Sequence, residues 1–428
     1  MNAGNKSELV AVSPTQLQVG DVLRFTLRDE SGRVLLARGL RIENLTALDS
    51  LKMRTAVYVD YDESEEAKKV LMSSLSEATF RDAPLKDIDR FVLLKSDNGA
   101  AATLPASLPQ AWEEVEARLK INLNQIVQGG ASGQEAVRRL SSQVTVLQES
   151  LLNRDRDAAL FLLIHRAVTG FSGYSALHSL LTAVVCHLLV TPLKLPAAEG
   201  EALVHAALTM NVAMTQLQDL LAAQKQPPSP QQRALIDAHT RDGARLLQAA
   251  GVTDPLWLAV VQAHHDNLPP GVSLAQRSSA QRLTKILQVV DRYTAAMSPR
   301  VSRAGRDAKD AARSAIVQAG AGGHDEVGLV LMQVLGLHPA GTFVKLANGE
   351  TAVVLRRGVK PNEPWVASVL NKRDEPIAEP RLYNTAKPEL AVTQGISGSH
   401  VRVRLNPEAM LRQLAFSKTG AERGVRLG

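Results

Sequence analysis

Aromatic residues make up only 4% of this 428-residue chain, so its core cannot be organised around stacked rings. Leu, Val and Ala must carry it, and that composition favours helices. Cysteine occurs once, at Cys186. An intramolecular disulfide is therefore excluded, and a reducing compartment fits. The surrounding LLTAVVCHLLV is apolar, so the thiol reads as buried and inert. No apolar run approaches the roughly 20 residues of a membrane-crossing helix. The opening MNAGNKSELV contains no apolar segment of the signal-peptide kind. These features predict a cytoplasmic protein with no membrane partner. Nor is there a run of five Lys or Arg, and the 49 basic residues face 43 acidic ones. With aromatics scarce as well, a nucleic-acid-binding surface is not expected.

What the chain does contain is 45% hydrophobic and 21% charged residues, the balance of a globular protein with a sizeable core. Residues 1–62 read as a small β-rich module. Within it VLRFTLRD, the turn ESGR and VLLARG form a hairpin, IENLTALDSLKM a short helix and TAVYVDY a further strand. Residues 63–108 read as a linker with short helices, with a boundary near 95–108 where Gly, Ala, Ser and Pro cluster. Helical periodicity then runs through 109–168, with Val115, Leu119, Leu123 and Ile126 spaced by turns. Residues 169–340 read as a helical core, 341–385 as C-terminal strands, and 386–428 as a basic tail. That tail holds seven Lys or Arg against three Glu and includes a short helix at NPEAMLRQLAF. The fold class expected is mainly α, with a small N-terminal β-rich module and a C-terminal strand pair.

Between residues 174 and 300 lies a spaced set of side chains suited to holding metal. His178 sits in YSALHSLLTAVVCHLLV, His239 in IDAHTRDGARLL, His264 and His265 in VVQAHHDNLPPG, and Asp291 in ILQVVDRYTAAM. Imidazole nitrogens plus a carboxylate are what a divalent ion needs. The order His, H-x-x-x-G, His-His, then Asp before an Ala-Met turn resembles the HD-GYP branch of the HD-domain phosphohydrolases. The resemblance runs from about residue 170 to about 385 and includes the tail feature HPAGTFVKLANGETAVVLRRG. It implies an HD-domain helical core, and an ancestry in hydrolysis of cyclic di-GMP by bound iron or manganese.

The motif is broken in two places. Where the family carries its adjacent His-Asp pair, this chain has Met210 and Asn211 in HAALTMNVAM. The aspartate bridges metals in the family; Asn is neutral, and the Met thioether is soft and suits hard ions poorly. The loop after His-His reads DNLPPGVSLAQRSS and lacks the Gly-Tyr-Pro signature. What the resemblance then implies is a degenerate, non-catalytic signalling protein acting as a regulatory, nucleotide-binding or adaptor module. The alternative is a cyclic di-GMP phosphodiesterase with an altered metal site. Two states of the site stay open: a residual single iron or manganese held by a subset of His178, His239, His264, His265 and Asp291, and a metal-free polar pocket. Adjacent residues on a helix face about 100° apart, so His264 and His265 are not expected to share one face.

Six histidines lie off the motif. His187 falls about 180° around the helix from His178, and His205 about 140° from Met210. His165, His324, His338 and His400 have no spaced partners. Arg282, Lys285, Arg292 and Arg300 cluster in sequence near Asp291 and are candidates to meet a phosphate. The partners that follow are cyclic di-GMP or a protein, with a second copy of the chain paired through the 109–168 helices as another.

Overall fold

A computed structural model of the chain describes residues 9–12, 23, 26–37, 42, 45–54, 56–60, 107–146, 152, 155–318 and 325–423. Most of the expected 63–108 linker and His324 lie outside these. The chain divides into two compact units, Met1–Arg118 and Leu119–Gly428.

The first unit holds strands β1 (Leu9–Val12), β2 (Leu27–Arg28) and β3 (Val34–Leu36), helix α1 (Leu45–Lys52) and strand β4 (Val57–Asp60). They form an antiparallel sheet in the order β1-β4-β2-β3. The β2–β3 hairpin turns where the sequence places it. Gly32 takes a φ of 84° there, and Asp29 Oδ1 accepts hydrogen bonds from the backbone N–H groups of Ser31 and Arg33. Leu23, Leu27, Ile42, Leu48, Leu51, Val57 and Val59 form the apolar core. Helix α2 (Leu108–Gln128) begins in this unit, where Glu113 pairs with Arg28 at 2.9 Å and Glu114 accepts from Thr26.

The second unit is helical, then β. Its helices are α3 (Gly130–Val146), α4 (Arg156–Thr169), α5 (Tyr174–Val190), α6 (Ala197–Thr209), α7 (Thr215–Ala223), α8 (Pro230–Ala249), α9 (Pro255–Ala263), α10 (Ser279–Met297), α11 (Ala308–Gln318) and α12 (Glu326–Leu335). Among the described residues no helix is long and apolar enough to cross a membrane. Every residue of α5 from Tyr174 to Cys186 is buried, so α5 is the central helix of this unit. Its start is fixed by Asp219, which accepts from the Ser175 backbone N–H at 2.8 Å and pairs with Lys120 at 2.9 Å. Helix α8 starts at a reciprocal Ser229–Gln232 capping box followed by Pro230, and α9 starts where the Asp254 carboxylate accepts from Leu256 and Trp257.

The strand pair expected from HPAGTFVKLANGETAVVLRRG is present as β5 (Phe343–Leu346) and β6 (Thr351–Arg356). It is the interior of a larger sheet. Strands β7 (Trp365–Leu370), β8 (Pro376–Asn384) and β9 (Val392–Ile396) extend it to five antiparallel strands in the order β8-β7-β6-β5-β9. Strand β9 pairs with β5 from Phe343↔Ile396 to Leu346↔Val392. The segment from 386 onward is therefore not simply a basic tail. It supplies an edge strand and helix α13 (Pro407–Arg423), whose Met410 and Leu414 are buried. The helix is the one expected at NPEAMLRQLAF, while the edge strand was hidden by the segment's net charge.

Gly243 decides how closely one turn of this unit approaches another. A Cβ there would stand 3.4 Å from Val212 Cγ1, 3.6 Å from Val261 Cγ1 and 3.9 Å from the Met210 carbonyl oxygen. Helix α8 is thus pressed against both the Met210–Val212 turn and α9. Methyl-sized contacts at these distances are ordinary, so Gly243→Ala is expected to cost less than about 1 kcal/mol. Gly243→Leu has no space to fill and is expected to cost about 1–3 kcal/mol. Chemical denaturation of the two variants checks this.

Candidate metal centre

The five sequence-predicted ligands lie on three helices and the turn that follows a fourth. His178 lies one turn into α5 and is 3% exposed. His239 lies midway along α8, His264 and His265 follow the end of α9, and Asp291 lies in α10. The expectation that His264 and His265 face apart fails for a simple reason. Helix α9 ends at Ala263, so the two residues occupy a turn and not consecutive helical positions. Their ring centroids are 4.3 Å apart, and each ring centroid is 5.2 Å from that of His239. Ligand nitrogens of His239, His264 and His265 all lie within 4.8 Å of one another.

The tautomers of two of these rings are set by the backbone. His239 Nδ1–H donates to the Ile236 carbonyl, and His264 Nδ1–H donates to the Val261 carbonyl at 2.7 Å. Both Nε2 atoms are left as lone-pair acceptors, and they face each other at 3.3 Å. Neither can donate to the other without taking up an extra proton. Burial opposes that uptake: it lowers the pKa of His239 and pulls that of His264 down to about 3. Two converging lone pairs shielded from water are a cost of about 1–3 kcal/mol per unsatisfied atom. A divalent cation removes that cost, and the backbone carbonyls behind the rings are the second layer of contacts such ligands use. His265 is exposed, so one side of the cluster opens to solvent.

Asp291 is not among the three clustered residues and pairs instead with His178. His178 Nε2–H donates to its Oδ1 at 2.8 Å. Burial alone would raise the Asp291 carboxyl pKa. Burial is the largest single influence, but the His178 hydrogen bond and the charges of His178, His264 and His265 together outweigh it and hold the group at about 2. Thr294 Oγ1 lies 3.5 Å from His178 Nδ1 and 3.0 Å from Thr182 Oγ1. Tyr174 stacks on the His178 ring at 5.4 Å, and Arg300 Nη2 donates to the Tyr174 hydroxyl at 3.0 Å. Tyr174, Thr182 and Thr294 escaped sequence reading. Their positions one turn from His178 or Asp291 on the same helix face were the available signal.

Met210 is fully buried at the end of α6, and Asn211 follows it at 5% exposure. The Asn211 Oδ1 is buried without a hydrogen-bond partner. The Gly243 packing brings this turn onto the helix that carries His239, one turn away from that residue.

The cation candidates separate into two groups. Arg282 grips Glu199 through two nitrogens, at 2.5 and 2.9 Å, and Lys285 Nζ stands 2.6 Å from Asp325. Both are held by carboxylates well along α10 from Asp291. Arg300 sits over Tyr174, its guanidinium 4.9 Å from the ring centroid, and Arg292 has a buried Nη1 without a hydrogen-bond partner. His205 stacks on Trp257 at 4.6 Å, and His165 packs between Phe161 and Phe343. Neither joins the cluster.

No family model matches the sequence, and no curated protein matches it. A solved structure that resembles the chain is Bd1817, a HDG"Y"P protein from Bdellovibrio bacteriovorus. The two share 14% identity with a TM-score of 0.41, over 77% of this chain and 99% of that one. The chemistry of the site rests on its own residues. Three imidazoles suit a first-row divalent ion, with positions left over for water or a ligand.

Proposed function

We infer that this protein is a degenerate HD-GYP-type signalling module that binds and does not hydrolyse. Its ligand would be cyclic di-GMP, and its output regulatory contact with a protein partner. One observation supports this most. At the turn where the family's His-Asp pair would fall, the chain has a buried thioether and a neutral amide, while His239, His264 and His265 converge. Without a bridging carboxylate the site lacks the means to hold two ions a few ångströms apart, and phosphodiester attack of this kind uses both. Arg300, held on the Tyr174 ring that stacks on His178, supports anion recognition nearby.

The test pairs a binding titration of cyclic di-GMP with chromatographic detection of linear dinucleotide or GMP. Saturable binding without turnover supports the reading. Turnover that requires His264 or Asp291 overturns it in favour of an altered-site phosphodiesterase.

Restoring the lost ligands is expected to raise metal content. Met210→His with Asn211→Asp should carry more iron or manganese per chain than the wild type, measured by elemental analysis after anaerobic purification. Unchanged metal content would show that the pocket has departed from the family beyond these two positions.

A further inference from the structure

We propose that the outward face of α11, where Arg306, Asp310 and Arg313 rim an open cleft, docks a protein partner through a helical segment of the reciprocal charge order, acid–base–acid. The proposal rests on the regulatory reading above and names the chemistry of the partner which that reading calls for.

Packing fixes which face of α11 is outward. Ala308, Ala311, Ala312 and Ala315 are buried, a stripe of small side chains that lays the helix close against α10. The opposite face is left to Lys309, Asp310 and Arg313, all exposed. Arg306 is exposed at the entry to the helix, where its backbone N–H donates to the Ala296 carbonyl at 2.8 Å. Asp307 Oδ1 accepts from the Asp310 N–H at 3.1 Å. Together with Ser314, these side chains line a cleft of about 380 Å³. The backbone beneath it is held before anything binds, which lowers the ordering cost of a contact.

The charges on this face are not neutralised within the protein. Arg282, Lys285 and Arg356 are each held by a carboxylate, whereas among the described residues Arg306 and Arg313 hold none and Asp310 meets no cation. The preceding turn adds like charge. Burial first, then the charges of Arg300 and Arg306, lowers the pKa of Arg303. Positive charge gathered against its own repulsion is relieved by carboxylates from outside.

The order of charge decides the class of partner. Asp310 falls between the two arginines in sequence. A uniformly anionic surface, such as a nucleic-acid backbone or a bilayer, meets repulsion there. The described lining of the cleft also has no aromatic side chain on which a base could stack. A helix carrying Glu, Lys and Glu on successive turns offsets all three charges at once.

Two labelled, alanine-based helical peptides test this by fluorescence anisotropy. One carries Glu, Lys and Glu on successive turns, the other Lys, Glu and Lys in the same places. At low ionic strength the wild-type chain is expected to bind the first about 10-fold or more tighter than the second. Raising salt from about 10 to about 100 mM shortens the screening length from about 30 to about 10 Å and should weaken that binding. Arg306→Glu, Asp310→Lys and Arg313→Glu combined should exchange the preference between the peptides. The three positions are exposed, and circular dichroism confirms the fold of the variant.

Equal affinity for the two peptides, or an unexchanged preference in the triple variant, overturns the proposal. Tighter binding of a single-stranded oligonucleotide or of phosphatidylserine vesicles, lost in the variant, overturns it in favour of a general polyanion surface. Cyclic di-GMP is titrated beside the peptides. Peptide selectivity without nucleotide binding defeats the nucleotide reading alone, and nucleotide binding without peptide selectivity defeats the docking face alone.

Discussion

Wild-type protein supplied with manganese or iron under reducing, anaerobic conditions is expected to release no linear dinucleotide and no GMP from cyclic di-GMP above the buffer rate. Enzymes of this kind accelerate their reactions by about 10⁶-fold or more. Most of that comes from an activated water and from positive charge on the phosphoryl oxygens, supplied together by paired ions. On the proposed reading, Met210 and Asn211 stand where the ligands for such a pair would be. What remains for catalysis by side chains alone is general acid–base help worth about 10² to 10⁴-fold. Burial holds His239 and His264 neutral, and His178 is committed to Asp291, so even that help is restricted. Product formation that disappears in His264→Ala or Asp291→Ala would show a working site and defeat the prediction.

The largest expected effect on stability belongs to Asp325. Its side chain is 1% exposed, stands 2.6 Å from Lys285 Nζ, and also accepts from the Gly328 backbone N–H at the start of α12. Removing one partner of such a buried pair costs about 3–5 kcal/mol, whereas an exposed pair is worth at most about 1 kcal/mol. Losing the helix cap contributes about 1 kcal/mol of the same change. Asp325→Ala should therefore lower the thermal midpoint of the helical unit by on the order of 10 °C. Asp325→Asn keeps a capping side chain and should fall between the two. Calorimetry distinguishes them, and an Asp325→Ala shift under about 2 °C, less than about 1 kcal/mol, would defeat the argument.

The same pair shows where sequence reasoning stopped. Lys285 and Arg282 were readable as cations near Asp291, but their partners Asp325 and Glu199 lie 40 and 83 positions away in the chain, and no local pattern announces them. The candidate positions stood out because each sits in or beside its own apolar helical run, and of them His239, His264 and His265 come together while His178 pairs with Asp291. The relation between His264 and His265 was not, because it turns on α9 stopping at Ala263. Likewise, β9 is short and set in a basic segment, so composition outweighed the weak alternation that builds it, whereas the helix at NPEAMLRQLAF was legible and is α13. The helical, mainly α character came through because it is spread over long, strongly periodic segments.

Trp257 extends the account in a different direction. Its indole N–H donates to Thr209 Oγ1 at 2.8 Å, and Thr209 in turn donates to the His205 carbonyl at 2.7 Å, with the His205 ring lying flat on the indole. Thr209 immediately precedes Met210. The chain has only three tryptophans, and of these Trp112 belongs to the N-terminal unit and Trp365 to a strand of the C-terminal sheet. The helical layer thus contains a native fluorophore hydrogen-bonded to the residue that leads into the altered turn. Any occupant that shifts this turn will change the emission of Trp257, so the state of the pocket can be followed by light without a label.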